Sequence, residues 1–310
     1  MPTRAERIAG GLIGLLIGDA VGVPYEFHSA KELPPLEQIE FDPPSGFDRA
    51  HAGTLPGTWS DDGAQALCLL DSLLACHGFD AEDFGRRLLR WYDDGYLAVD
   101  GRVFDIGIQT GRALQALRAG VPALDAGPTE EHALGNGSLM RVLPLALWHG
   151  GTDAELVADA QAQSRITHGH PRAQVCCALY CLWARRTLEG ADDAWEQAVA
   201  TLCALYTEAS TERTELEWSI RPDDPPESNG GGYVVDCLRS ARMIMTAGNY
   251  EAVVKAAIAL GNDTDTTACV AGGIAGIRDG ISAIPTRWQT KLRGRDLYEP
   301  LLNHLLDAAS

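Results

Sequence analysis

The sequence predicts an all-α protein, from three observations. Apolar residues recur at helical spacing through most of the chain, no run of alternating β-branched residues is long enough to build a sheet, and the apolar segments carry helix start and stop signals. With 310 residues, 45% of them hydrophobic, the chain can bury one large core. No Pro/Gly/Ser tract divides it and no internal repeat is visible, so 1–310 reads as a single domain.

The first helix, 3–22, coincides over most of its length with the apolar stretch Ile8–Val23, which is interrupted by Gly10, Gly11, Gly14, Gly18 and Asp19. That stretch is shorter than the ~20 apolar residues of a membrane span, and no convincing small-residue cleavage site follows it. It is read as a buried helix rather than an anchor or signal peptide, with no membrane partner and a cytoplasmic location expected. Glu32 to Pro56 is irregular, with five prolines. Ser60 precedes the helix 61–77 as an N-cap. Helices 81–93 and 106–119 follow, the latter closed by Gly120 and Pro122. Next come 138–148, 153–165, then 171–188 with Pro171 suited to a first helical position, and 192–208. From Thr211 to Gly232 the text turns to charge, Pro and Gly, so 211–232 reads as a surface excursion that could serve as a lid. Helices 232–247, 250–260, 265–279 and 295–308 complete the chain.

A formal charge of −18, with 25 scattered basic residues, argues against a sequence-independent grip on nucleic acid, which needs clustered Lys and Arg. The eight cysteines lack CxxC spacing and mostly sit in apolar helical patterns, where they read as small buried hydrophobes. The i, i+4 pair Cys177 and Cys181 is the one weak metal or disulfide hint.

Two acidic clusters carry the chemistry. Thr58-Trp59-Ser60-Asp61-Asp62-Gly63 sets adjacent carboxylates at the start of an apolar helix, where acids also compensate the helix dipole. Gly261-Asn262-Asp263-Thr264-Asp265-Thr266-Thr267 lies between two apolar helices and offers Asp263, Asp265 and the Thr266 hydroxyl as hard oxygen ligands; an Asx-rich cap is its plainer reading. The helix that follows carries Ala271, Gly272, Gly273, Ala275 and Gly276, which permit close helix approach. Together the clusters supply Ser60, Asp61, Asp62, Asp263, Asp265 and Thr266. Four gathered carboxylates repel one another unless cations balance them, and two divalent ions would do so. No Cys or His is interleaved, which favours magnesium, or manganese in its place, over zinc. A two-metal site can hold vicinal hydroxyls and polarise water, both useful in hydrolysing a bond to ribose.

These residues resemble the ADP-ribosylglycohydrolase family, which includes the dinitrogenase-reductase-activating glycohydrolase and the ADP-ribosyl-acceptor hydrolases. Five segments spanning almost the whole chain match: GGLIGLLIGDAVGVPYEF at 10–27, GTWSDDGAQAL at 57–67, FDIGIQTGRAL at 104–114, GNGSLMRVLPLAL at 135–147 and ALGNDTDTTACVAGGIAGIRDG at 259–280. Their order and spacing make the match specific. The resemblance implies a single-domain orthogonal multi-helix bundle with a binuclear Mg2+ site in a cleft and the six residues above as its ligands. It implies that Glu26 lies beside the metals and the ribose, and that Asp105 is the acid that opens and protonates the ribosyl linkage; read alone, Asp105 is an N-cap for the 106–119 helix. Ile108 and Gln109 replace the small polar residues that often follow DIG.

Gly135-Asn136-Gly137-Ser138 is a glycine-rich turn whose backbone N–H groups could meet a phosphate, and in the family it lines the substrate cleft. Thr167-His168-Gly169-His170-Pro171 resembles a further cleft segment with His168 facing substrate. Arg141 is expected to pair with a nearby acid. The function implied is removal of mono-ADP-ribose from a modified protein side chain, arginine first, with ADP-ribose and the ADP-ribosylated protein as partners. Hydrolysis of O-linked ADP-ribose, from serine or O-acetyl-ADP-ribose, and non-catalytic ADP-ribose binding are the alternatives.

Overall fold

The computed structural model describes residues 1–308. Its helices are α1 (Arg4–Gly22), α2 (Asp61–Cys76), α3 (Ala81–Asp94), α4 (Ile108–Arg118), α5 (Leu143–Trp148), α6 (Asp153–Arg165) and α7 (Pro171–Glu189). The remainder are α8 (Ala194–Leu205), α9 (Thr211–Thr214), α10 (Val234–Ile244), α11 (Tyr250–Ala259), α12 (Thr264–Asp279), α13 (Thr286–Lys291) and α14 (Arg295–Ala308). Among the described residues there is no strand, only the isolated bridges Ser29–Gly261 and Gly135–Tyr233. The fold is all-α, as its periodicity predicts.

α1 is the central pillar. Thr3 starts it with a capping box, accepting from the Glu6 amide at 3.2 Å while the Thr3 amide donates to the Glu6 carboxylate at 2.7 Å. Arg4–Tyr25 is apolar and long enough to cross a membrane, but its most apolar window is wholly buried inside the protein, as in the core helix of a soluble one. It is buried chiefly by α12, which runs antiparallel to it at backbone contact. Glycines at every fourth position make this possible, because they fall on one face of the helix. A Cβ on Gly10, Gly14 or Gly18 would lie 2.2, 2.6 or 2.1 Å from the carbonyl oxygens of Gly276, Gly272 and Ala268. A Cβ on Gly22 would lie 2.4 Å from the Cα of Asp265. The same packing that builds the core therefore brings the C-terminal end of α1, which leads to Glu26, against the N-terminal end of α12, where Asp263 and Asp265 stand.

Gly18→Ala is accordingly expected to force the two helices apart. Overpacking of this kind costs about 1–3 kcal/mol, a loss of roughly 2–5 °C in Tm for a chain of this size. Thermal unfolding of the variant measures it, and an unchanged Tm would contradict the close packing.

Several boundaries differ from the sequence reading for identifiable reasons. The 138–148 helix shrinks to Leu143–Trp148 because Pro144 lacks an amide hydrogen and is tolerated only in a first turn. α4 begins at Ile108 with Gly107 as a cap that makes no side-chain hydrogen bond, so Asp105 is not its N-cap. α13 is six residues long and follows Pro285, too short for periodicity to register. Within 211–232, α9 runs directly into a π-helical turn over Glu215–Ile220 that buries Leu216 and Ile220, while Gly230 is buried and Gly232 reaches the cleft. All eight cysteines are free; Cys177 and Cys181 are buried, in line with the apolar reading.

Candidate active site

A cleft of about 320 Å³ opens where the ends of α1, α2, α4 and α12 converge. Asp61, Asp62, Asp263 and Thr266 line it, with Glu26 and Asp105 beside them. Asp265 and Ser60 are buried and do not line it. The two acidic clusters, some 200 residues apart in sequence, therefore meet: Thr266 Oγ1 donates to Asp62 Oδ2 at 3.4 Å.

A residue that sequence reasoning missed sets α2 in place. Asp19, buried in the apolar helix α1, accepts the amides of Ser60 at 2.8 Å and Gly63 at 2.8 Å. It thereby caps the start of α2 from another helix and satisfies amides that an N-terminus leaves unpaired. Ser60 caps the same turn from its own chain position, accepting from the Asp62 amide at 3.3 Å. The signal for Asp19 was present as the single charge in an apolar run.

Burial pushes these carboxyls up. Desolvation is the largest cause throughout, and mutual repulsion adds to it. Asp61, Asp62 and Asp265 are held well above the usual carboxylate range. Asp19 is raised to about 7, Asp105 to about 6 and Glu26 to about 10, the last two also through the charge of Asp263. Asp62 Oδ1 and Asp265 Oδ2 are fully buried yet have no hydrogen-bond partner. Buried polar atoms are ordinarily satisfied, and a cation bound beside the cleft would satisfy these two oxygens. Ligand oxygens of Glu26, Asp263 and Asp265 lie within 4.8 Å of one another, as do ligand atoms of Glu26, His51 and Asp105. A set of hard oxygens fits a divalent cation.

His51, from the irregular stretch before α2, was also missed. Its Nε2 lies 2.6 Å from Glu26 Oε2. Desolvation, then the nearby Arg102 and Arg49 charges, lower its proton affinity. Nothing in a Pro-rich loop without periodicity singles it out. Phe27, His51, Asp105 and Asn262 all hold positive φ, at 65°, 50°, 57° and 63°. Left-handed backbone at non-glycine residues is costly, and four such residues beside one cleft is the clustering seen at functional sites.

The opposite wall is the glycine-rich turn. Asn136 Nδ2 donates to Asp263 Oδ2 at 2.8 Å, tying the turn to the acids. Two of the turn's amides are already used, Gly135 N donating to Gln109 Oε1 at 3.0 Å and Asn136 N to Gly232 O at 3.1 Å. Among the described residues, the amides of Gly137 and Ser138 donate to no protein group. The Ser138 hydroxyl turns into the core instead, accepting from Ser164 Oγ at 2.9 Å. His168 packs under the turn, its Nδ1 2.8 Å from Thr167 Oγ1, and desolvation drives it down to about 3, so it is neutral.

Arg141 departs from expectation. It is fully buried and pairs with amides rather than an acid, donating to Gln65 Oε1 at 2.8 Å and to Gln163 Oε1 at 3.1 Å. Gln65 in turn donates to Asp61 Oδ2 at 3.0 Å, so the cation reaches the acidic floor through a neutral relay. A direct pair would have quenched the Asp61 charge.

The ADP-ribosylglycohydrolase family profile matches residues 1–310. The ADP-ribosylarginine hydrolase Tri1 of Pseudomonas putida (strain GB-1) is 32% identical over 306 residues, covering 98% of this chain and 79% of that protein. The ADP-ribosyl-dinitrogen reductase glycohydrolase of Rhodospirillum rubrum is 27% identical over 297 residues, covering 94% and 92%. A solved structure, an ADP-ribosylglycohydrolase-related protein complex, matches over 100% of both chains with a TM-score of 0.80 and 31% identity. By profile, sequence and fold together, the chain belongs to the ADP-ribosylglycohydrolase family.

Proposed function

We propose that the protein hydrolyses the N-glycosidic bond between ADP-ribose and a modified arginine side chain, with divalent cations, magnesium first, held by Ser60, Asp61, Asp62, Asp263, Asp265 and Thr266. The observation that carries this reading is the convergence of buried carboxyls at one cleft, with an unpartnered oxygen on Asp62 in its lining and another on Asp265 behind it. The arginine linkage is supported by the likeness to the Pseudomonas putida hydrolase. Bound there, the cations would fix ribose hydroxyls and polarise the attacking water.

The chain's own residues do the rest. Asp105, half-buried, is held above the usual carboxylate range by desolvation and then by the charge of Asp263, and it is placed at the cleft to pass a proton to the leaving guanidine nitrogen. A guanidine leaves more readily once protonated. Glu26 is oriented by its 2.6 Å contact with His51 and takes the proton of the attacking water once the surrounding acids are neutralised. The bond from water oxygen to the anomeric carbon forms as the bond to nitrogen breaks, releasing free ADP-ribose and unmodified arginine. The free Gly137 and Ser138 amides are the donors available to a phosphate of the ligand.

The test is release of ADP-ribose from arginine-modified and serine-modified substrates, with and without magnesium, by the wild type and Asp61→Ala. Magnesium-dependent release from the arginine substrate, lost in the variant, is the expected result. Release from serine alone would overturn the linkage, and release from neither would overturn the reading.

A further inference from the structure

The mouth of the cleft carries features that a ligand lying inside it does not need. Ile108 is 85% exposed, Phe27 70% and Ile106 37%. Solitary exposed apolar residues are ordinary, but a group of them at a site opening marks a contact surface. Phe27 is presented at a cost: its φ of 65° is unfavourable for a bulky side chain, and its amide donates to Asn262 O at 2.8 Å, which holds the segment in that conformation. The surface is continuous and braced. The Phe27 ring lies 5.5 Å from the His51 ring, which lies 5.0 Å from that of Phe104, and Phe104 leads through Asp105 to Ile106 and Ile108.

Charge marks the same spot. Arg49 stands two residues before His51, and Arg102 holds its guanidinium against Gly53 of the same loop. Among the described residues neither forms an ion pair, Arg102 donating to the carbonyl of Gly53 and the buried Nε of Arg49 having no partner. In a chain with 43 acids to 25 Lys and Arg, two arginines outside any ion pair leave positive charge available at this rim. A partner whose charge complements it is acidic there.

Resting on the hydrolase reading above, we propose that this rim docks the protein that carries the ADP-ribosyl group, with Phe27, Ile106 and Ile108 meeting apolar side chains around the modified residue and Arg49 and Arg102 meeting its acidic neighbours. The group buried in the cleft is common to every substrate, whereas the acceptor's own chain must leave through the mouth. The rim therefore selects among acceptors without touching the bond that breaks. It also gives Ile108, the residue that replaces a small polar one in the DIG segment, a role in which apolarity is useful.

The test compares three substrates: ADP-ribosyl-arginine as the free amino acid, and two peptides carrying it between leucines with flanking aspartates or flanking lysines. The wild type is expected to favour the aspartate peptide. Ile108→Ser, at a position too exposed to matter to folding, is expected to raise KM for that peptide about tenfold, with a clearly smaller rise for the free amino acid. Arg102→Glu is expected to reverse the preference between the two peptides. Equal losses on the amino acid and the peptide, no loss on the peptide, or a wild type indifferent to flanking charge would each overturn the rim while leaving the hydrolase standing. A wild type that cleaves none of the three would sink the hydrolase reading and the rim together.

Discussion

Asp62→Asn is expected to move activity and metal-free stability in opposite directions. Asp62 is buried, its Oδ1 has no partner, and its Oδ2 accepts from Ser60 Oγ at 3.2 Å and Thr266 Oγ1 at 3.4 Å. Desolvation, followed by the charges of Asp19, Asp263 and Asp105, already opposes its ionisation. An asparagine of the same shape keeps the side-chain oxygen those hydroxyls need and removes the repulsion, so the chelated variant should melt above the chelated wild type by a few °C, about 2 °C or more per kcal/mol recovered. The same change removes one hard anionic ligand, and ADP-ribose release should fall roughly 100-fold or more. Added magnesium should raise the melting temperature of the wild type and barely move the variant. Melting curves with chelator and with magnesium, beside one activity assay, decide it. A variant that is less stable without metal, yet gains as much as wild type on adding it, would show that Asp62 belongs to the scaffold and not to a cation site.

Stability and chemistry oppose each other here because the fold spends core packing to hold acids where water cannot screen them. That arrangement was partly legible in sequence. The small residues of α12 predicted close helix approach, and clustered acids at the start of α2 and α12 predicted oxygen ligands; both follow from local spacing. The antiparallel register that sets Gly22 on Asp265 was not legible, because it depends on which helices meet. Asp19 stood out as a lone charge in an apolar run, but its role was hidden for the same reason: its partners are amides 41 and 44 positions away. Arg141 was misassigned because a buried arginine calls for an acid by default, and the two glutamines that satisfy it lie on α2 and α6. His51 left no trace because a histidine in an irregular loop has no register to read. What local sequence encodes is the kind of group at each position; which groups face one another is decided by packing.

Without divalent cations, the melting temperature is expected to fall as pH rises from about 6.5 to about 8.5. A carboxyl whose proton is held more tightly in the folded chain than in the unfolded one contributes stability that is complete below its ordinary value, 3.8 for Asp and 4.5 for Glu, and is lost as pH climbs through the folded value. Those folded values are about 6 for Asp105, about 7 for Asp19 and about 10 for Glu26, so the loss spans neutrality. His168 works the other way. Its buried neutral ring contributes stability that is present above 6.5 and lost as pH falls toward about 3, which flattens the profile on the acid side and leaves the carboxyls to dominate above neutrality. Divalent cations supply the positive charge that the ionised cluster lacks, so millimolar magnesium should both raise the melting temperature and remove most of the slope. Differential scanning across that pH range, with chelator and with magnesium, reads both effects. A chelated protein whose stability rises with pH would mean that the carboxyls ionise freely in the fold, and that the crowding at the cleft does not generate a demand for metal at all.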